Sequence, residues 1–183
     1  MAHTKPPAPS MLFTAAFSRH AGLLDWVLSR VEEAWGPVVL KSQKFDHEET
    51  AYYQSSMGSD LKKQFFVVGG RYDPSRLVAT KLESNGWEKE IQAAGEYAEQ
   101  RPVNVDPGYF TLDKLILASA KDRAHRVYLH DGIYAEQCLY YQQRAWCARP
   151  WTYPDYMQPG VLAFFEQARE QLKALLRDEV TTV

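Results

Sequence analysis

The first 110 residues alternate apolar strand-like runs with helical stretches in the order strand, helix, strand, strand, helix, strand. Met11 to Ser18 (MLFTAAFS) is a short apolar run of β-compatible residues. In the segment that follows, Leu24, Val27, Leu28 and Val31 recur at helical spacing, and Gly36-Pro37 stops the turn. VVLKSQKF reads as a second strand and LKKQFFVVGG as a third, ended by two glycines. The polar segment DHEETAYYQSSMGSD between them reads as a loop. Asp73-Pro74 is an N-cap followed by a proline at the first helical position, which opens a short helix. Asn85 with Glu88 three residues on has the form of a capping box that restarts a helix near Gly86. RPVNVDPG reads as a fourth strand, closed by Pro107-Gly108 in type II turn geometry.

Two strand-helix-strand units in this order are the split pattern of a ferredoxin-like fold. Its physical content is one antiparallel sheet with helices on one face. Beyond it, Thr111 is placed to cap a short helix carrying Leu112, Leu115, Ile116 and Ser119 on one stripe. Asp131-Gly132 between alternating runs signals a β-hairpin. A last helix begins near Pro159, with Val161, Phe164, Phe165, Ala168, Leu172, Leu175 and Leu176 as its apolar face. The expected architecture is α+β: a ferredoxin-like antiparallel sheet extended by a C-terminal hairpin and a C-terminal helix. Residues 1–10, with three prolines and no apolar core, read as a mobile lead-in rather than a signal peptide. Residues 11–183 read as a single domain.

Hydrophobic residues make up 45% and charged residues 24%, which suffices for a sizeable core without staples. The net charge of −2 and pI near 6.2 argue against a general binder of nucleic acid or anionic membrane, which needs excess Lys and Arg. No apolar run approaches the roughly 20 residues that cross a bilayer. Cys138 and Cys147 form no metal-ligand spacing and suit a reduced, cytoplasmic setting, with Cys138 buried.

The chemistry concentrates in VNVDPGYFTLDKLILASAKDRAHRVYLHDGIYAE, Val103 to Glu136. A two-residue Asp131-Gly132 turn sets Leu129 opposite Tyr134 and Val127 opposite Glu136. Glu136 then stands as the one carboxylate on a face of Val127, Leu129, Tyr134, Cys138 and Tyr140. A buried carboxylate has to be hydrogen-bonded, paired or protonated, so Glu136 is either a site residue or a structural anchor. Asn104 and Asp106 alternate with Val103 and Val105, which puts the polar pair together at a strand end; taken alone, Asp106 better suits an Asx turn that caps Pro107-Gly108. Asp122 and His125 suit an acid/base with its orienting carboxylate, or a hydrogen-bonded structural pair.

His125, Glu136 and Asp106 are therefore the candidate catalytic residues. Asn104, Tyr109, Lys114, Lys121, Tyr128, Tyr134, Trp151, Tyr153 and Asp155 are the candidate ligand-binding residues. Lys114 and Lys121, seven apart on the expected helix, would lie on one face. Lys62, Lys63, Arg123 and Arg126 add to the basic set. The loop PWTYPDY offers Trp151, Tyr153 and Tyr156 as ring faces for stacking, or as an exposed patch for a protein partner.

No phosphate-binding loop, dinucleotide fingerprint or nucleophile elbow is present, and no metal site is expected. Phe45 to Glu49 (FDHEE) either grips a divalent cation or is a solvated acidic loop. Mixed cations, carboxylates and rings point to a small anionic, phosphate-bearing or nucleotide-like ligand, with no cofactor named. The alternative is a protein-interaction module.

The long segment from Val103 to Glu136, PWTYPDY and FDHEETAYYQSSMGSDLKKQF together resemble the prokaryotic family catalogued as domain of unknown function 4416, from Met11 to about Phe165. That resemblance draws attention to Asn104, Asp106, Pro107, Gly108, Tyr109, Lys114, Lys121, His125, Tyr128, Gly132, Tyr134, Glu136, Trp151, Tyr153, Pro154 and Asp155. Family members have an acidic residue before the paired tyrosines, where this chain has Ala51. Some members carry a GTP-binding label, and no phosphate-binding loop stands behind it here.

Overall fold

The computed structural model of the protein describes residues 3–47 and 50–181. Glu48 and Glu49, the acidic end of the FDHEE motif, lie outside the described residues, as does the Ala51 side chain. The chain runs β1 (Met11–Ser18), α1 (Ala21–Trp35), β2 (Val38–Lys41), β3 (Phe45–Asp46), α2 (Thr50–Met57), β4 (Lys62–Val68) and α3 (Leu77–Ala94). It continues with β5 (Asn104–Phe110), β6 (Lys114–Ser119), β7 (Val127–Tyr128), β8 (Tyr134–Gln142), β9 (Ala145–Ala148) and α4 (Pro159–Thr181). Short 3-10 turns at Pro74–Arg76 and Pro154–Met157 lead into α3 and α4.

Among the described residues the nine strands form one antiparallel open sheet in the order β2-β4-β1-β5-β6-β8-β7, with β3 paired to β4 and β9 to β8. The start of β5 pairs with the end of β1, Ala16 opposite Val105 and Phe17 opposite Asn104. Strand alternation splits the core in two. Leu12, Ala16, Phe66, Val68, Val103 and Val105 pack on one face against α1 and Trp87 of α3. Phe13, Ala15, Phe65, Val67 and Phe110 pack on the other against Val161, Phe164, Phe165, Ala168 and Leu172 of α4. A long apolar stripe on α4 thus closes the face that α1 and α3 leave open.

The sheet is not fully zipped. β5 pairs with β6 only from Gly108, opposite Leu117, to Phe110, opposite Leu115. Toward Asn104 the two strands separate. Pro107 has no N–H to give to a ladder. At Val105 the backbone is satisfied from α3 instead: its N–H donates to the Glu88 carboxylate at 2.8 Å, and its carbonyl accepts from Lys81 at 2.8 Å and Ser84 at 3.2 Å. Buried backbone groups need partners, and here α3 supplies what β6 does not.

Several local expectations are corrected. DHEETAYYQSSMGSD contains α2, whose last residue Met57 is buried with Phe17 and Leu61. α3 is one helix of 18 residues that runs through Asn85 and Gly86. Glu88 is no capping residue; it bonds Arg101 and Val105. Pro107-Gly108 lies inside β5 rather than in a turn.

The stretch expected as a helix after Thr111 is β6, and Thr111 instead accepts from Asp113 and Lys114 N–H in the hairpin between β5 and β6. Its residues pair with β5 on one side and β8 on the other, and that sheet context overrides the helical spacing. The Asp131-Gly132 turn is present, both residues at positive φ and Ile133 N–H bonded to His130 O. Leu129 N–H also bonds Ile133 O, so two residues face one. That bulge shifts the register: Tyr128 pairs with Tyr134 and Val127 with Ala135.

Candidate functional site: a polar cleft where the sheet splits

The end of β1, the start of β4, the start of β5 and the end of β6 meet at one end of the sheet. On the α4 side that end is polar. Lys63 pairs across β1 through Phe17 to Asn104, and Leu117 lies beside Glu136. Above it lies the 3-10 turn with Asp155 and Tyr156, just before α4 begins.

Asp106 sits at the opening between β5 and β6. One carboxylate oxygen accepts from Lys81 Nζ at 2.8 Å and the other from Asn104 Nδ2 at 2.5 Å. The Lys81 side chain is almost wholly enclosed, while Asp106 keeps 24% exposure. Burial alone would push the Asp106 carboxyl up; the Lys81 ammonium outweighs it, with help from Arg101 and Lys63, and holds the group at about 2. Arg101, in the loop before β5, donates twice to Glu88 at 3.0 and 2.7 Å. Lys121 follows β6, its N–H bonded to Ser119 Oγ. Lys81, Asn85, Arg101, Asp106, residues 117–121 and Tyr153 line this cleft.

Asp106, Leu117 and Tyr153 also line a deeper chamber, closed by Phe17, His47, Lys63, Asp155 and Tyr156. There Lys63 donates to Asp155 at 2.5 Å and His47 stands 3.3 Å from the same carboxylate. The Lys63 ammonium lies 4.6 Å from the centre of the Tyr156 ring. Burial pushes Asp155 up, but Lys63 and His47 hold its carboxyl well below the usual carboxylate range.

A third cluster stands behind Tyr153. Glu136 has no exposed side-chain surface. It is 2.7 Å from His125 Nε2 and accepts from Arg126 at 3.1 and 3.2 Å. Arg126 also donates to Ser119 Oγ, Lys121 O and the Tyr153 hydroxyl, the last at 2.6 Å. His125 stacks on Trp151 with ring centres 5.3 Å apart. Buried charges of opposite sign thus fix one wall of the cleft through Tyr153.

Asp106, Lys121, Tyr153 and Asp155 converge on the cleft and chamber, Asn104 bonds Asp106 from beside them, and His125, Glu136 and Trp151 stand directly behind. His125 is paired with Glu136; Asp122 instead bonds Tyr134. Tyr109 lies on the opposite sheet face, beside Leu77, Val78 and Ala118. Tyr128 and Tyr134 meet each other at the β7 edge, ring centres 5.3 Å apart. Lys114 and Lys121 do not share a helix face. Lys114 opens β6 and Lys121 lies past its far end, so about 20 Å of extended chain separates them. The rings of the aromatic loop do not form one exposed surface either: Trp151 is 37% exposed and Tyr156 fully buried. Cys138 is buried, and both cysteines are free.

Lys81 and Arg101 were not among the expected site residues. Lys81 was detectable: Leu77, Val78, Lys81 and Ser84 share the buried stripe of α3, so a lysine stands where the pattern asks for an apolar residue. Arg101 carries no comparable mark in the sequence. Among the described residues no cluster of His, Cys, Asp and Glu is arranged to hold a metal ion, and no helix is long and apolar enough to cross a membrane.

No curated protein and no solved structure matches the chain. The sequence model of the family described as Domain of unknown function (DUF4416) matches residues 8–172, from before β1 into α4, and the chain belongs to that family.

Proposed function

We propose that the protein binds a small phosphate-bearing or nucleotide-like ligand in the cleft between β5 and β6, as a binding protein or as an enzyme acting on that ligand. The observation that carries this reading is the lining. Lys81, Arg101 and Lys121 surround one opening and Lys63 stands behind it, against Asp106 and Asp155 among the lining carboxylates. Cations held in a partly desolvated cleft attract an anion far more strongly than in bulk water. Asp106 is ionised at neutral pH, so it accepts a hydrogen bond from a ligand donor and does not supply a proton. Glu136 and His125 hold Arg126 and Tyr153 in place.

The same reading takes β1, β2, β4 and β5 with α1 and α3 as a ferredoxin-like unit. The order β2-β4-β1-β5, the antiparallel pairings and the shared face of the two helices support it. Free cysteines support a cytoplasmic setting.

A thermal-shift series tests the ligand reading with inorganic phosphate, a sugar phosphate, a nucleotide and their neutral parents. The phosphate compounds should raise the melting temperature more than their parents do. Lys121→Ala should reduce the shift, and Lys114→Ala, outside the cleft, should leave it unchanged. No stabilisation by any phosphate compound would rule the reading out.

A further inference from the structure

The chamber behind the cleft holds two polar atoms that the protein leaves unused. Asp155 Oδ1 and the Tyr156 hydroxyl are buried with no hydrogen-bond partner among the described residues. Asp155 is 6% exposed and Tyr156 fully buried, and both line the chamber. Buried polar atoms are nearly always paired, so two orphans on neighbouring residues that line one space ask for an occupant. The other oxygen of Asp155 is already engaged by Lys63 and His47, which fixes the carboxylate in its acceptor form. The chamber volume is about 30 Å³, room on the order of one or two water-sized groups. It adjoins the cleft at Asp106, Leu117 and Tyr153, which line both spaces.

We infer that this chamber is a hydroxyl-binding subsite, and that the ligand class is a phosphate monoester carrying a free hydroxyl a few atoms from the phosphate. The inference rests on the phosphate reading of the cleft and adds the second end of the ligand. A hydroxyl both donates and accepts, so one such group satisfies Asp155 Oδ1 as donor and the Tyr156 hydroxyl as acceptor. An ether or alkyl group leaves the carboxylate oxygen unpaired. A ligand ammonium would meet the Lys63 charge, which already stands beside the Tyr156 ring. Phe17 and Leu117 give the adjoining carbon an apolar wall.

The test compares propyl phosphate, glycerol phosphate and ribose 5-phosphate by titration calorimetry at low salt. Propyl phosphate lacks the hydroxyls, and ribose 5-phosphate separates a sugar from a short polyol as the source. A hydroxylated ester should bind about tenfold more tightly than propyl phosphate. Tyr156→Phe should cut that ratio severalfold while leaving propyl phosphate affinity unchanged. Its melting temperature without ligand should not fall, because the change removes only an unpartnered hydroxyl. Equal binding of all three esters, or a ratio that persists in Tyr156→Phe, would show that the chamber holds solvent only; the phosphate reading would then stand alone. Absence of binding by every ester would overturn both.

Discussion

Lys81 on α3 reaches the Asp106 carboxylate on β5 through the opening between β5 and β6, closing to 2.8 Å. Its ammonium also bonds the Val105 carbonyl, so one side chain both satisfies the β5 backbone where β6 does not pair with it and neutralises the acid at the mouth of the opening. Lys81→Met keeps the aliphatic stem and removes the charge. It leaves the Asp106 carboxylate with Asn104 and the Val105 carbonyl with Ser84, each without the ammonium that bonded it. The expected loss of stability is about 2–4 kcal/mol in urea unfolding, with partial recovery on adding Asp106→Asn. A single-variant loss within the scatter of surface substitutions would mean that water takes over the lysine's role.

Asp106 also sets a pH dependence. Its folded value, about 2, lies below the ordinary carboxylate value. A depressed group stabilises the fold above the unfolded value, and that contribution is lost as pH falls through the folded one. Stability should therefore decline between about pH 4 and pH 2, with Asp155, lowered for the same kind of reason, adding to the decline. Asp106→Asn should flatten part of that slope in unfolding curves taken across the range. An unchanged slope would show that Asp106 is not ion-paired in solution.

Gly108 marks the last rung before the strands part. A Cβ there would sit 2.3 Å from the Ile116 carbonyl oxygen and 2.6 Å from the Phe13 ring, so β5 and β6 close only around a glycine. Gly108→Ala should cost about 1–3 kcal/mol by denaturant titration. A near-neutral change would indicate that β6 can withdraw and the split can lengthen by one pair.

These features differ in how far the sequence announces them. The run VVLKSQKF splits into the four-residue β2 and a separate two-residue β3, whereas β1, β4 and α1 were legible because their apolar periods are long and uninterrupted. β6 was not: Leu112, Leu115, Ile116 and Ser119 fit a helical stripe as well as a strand, and only the partners β5 and β8 decide. The Asp131-Gly132 turn was readable, but the bulge beside it depends on the sheet and moved every partner by one. The sequence offers Asp122 as the partner of His125, but His125 stands 2.7 Å from Glu136 instead, because the fold and not the spacing decides which carboxylate is near. The helical misreading of β6 also misplaced Lys114, because helix and strand carry side chains seven residues apart to very different places.

Glu136 gives the last prediction. Its fully enclosed carboxylate takes hydrogen bonds from Arg126, whose side chain is 3% exposed, and stands against His125. Arg126 in turn holds the Tyr153 hydroxyl, and Tyr153 lines both the cleft and the chamber. Glu136→Gln keeps the shape and removes the charge, leaving the Arg126 guanidinium enclosed without its counter-ion. Breaking one side of such a pair costs about 3–5 kcal/mol. Arg126→Met leaves Glu136 enclosed with only His125, so it too is destabilising. The double variant removes both charges at once and should be less harmful than the two single effects combined. A double-mutant cycle by chemical denaturation should give a coupling of about 1–3 kcal/mol. Arg126→Met should also weaken phosphate binding, because Tyr153 loses the guanidinium that donates to its hydroxyl. Additive effects on stability would mean that the two charges are solvated independently, and Tyr153 would then need another source of its fixed position.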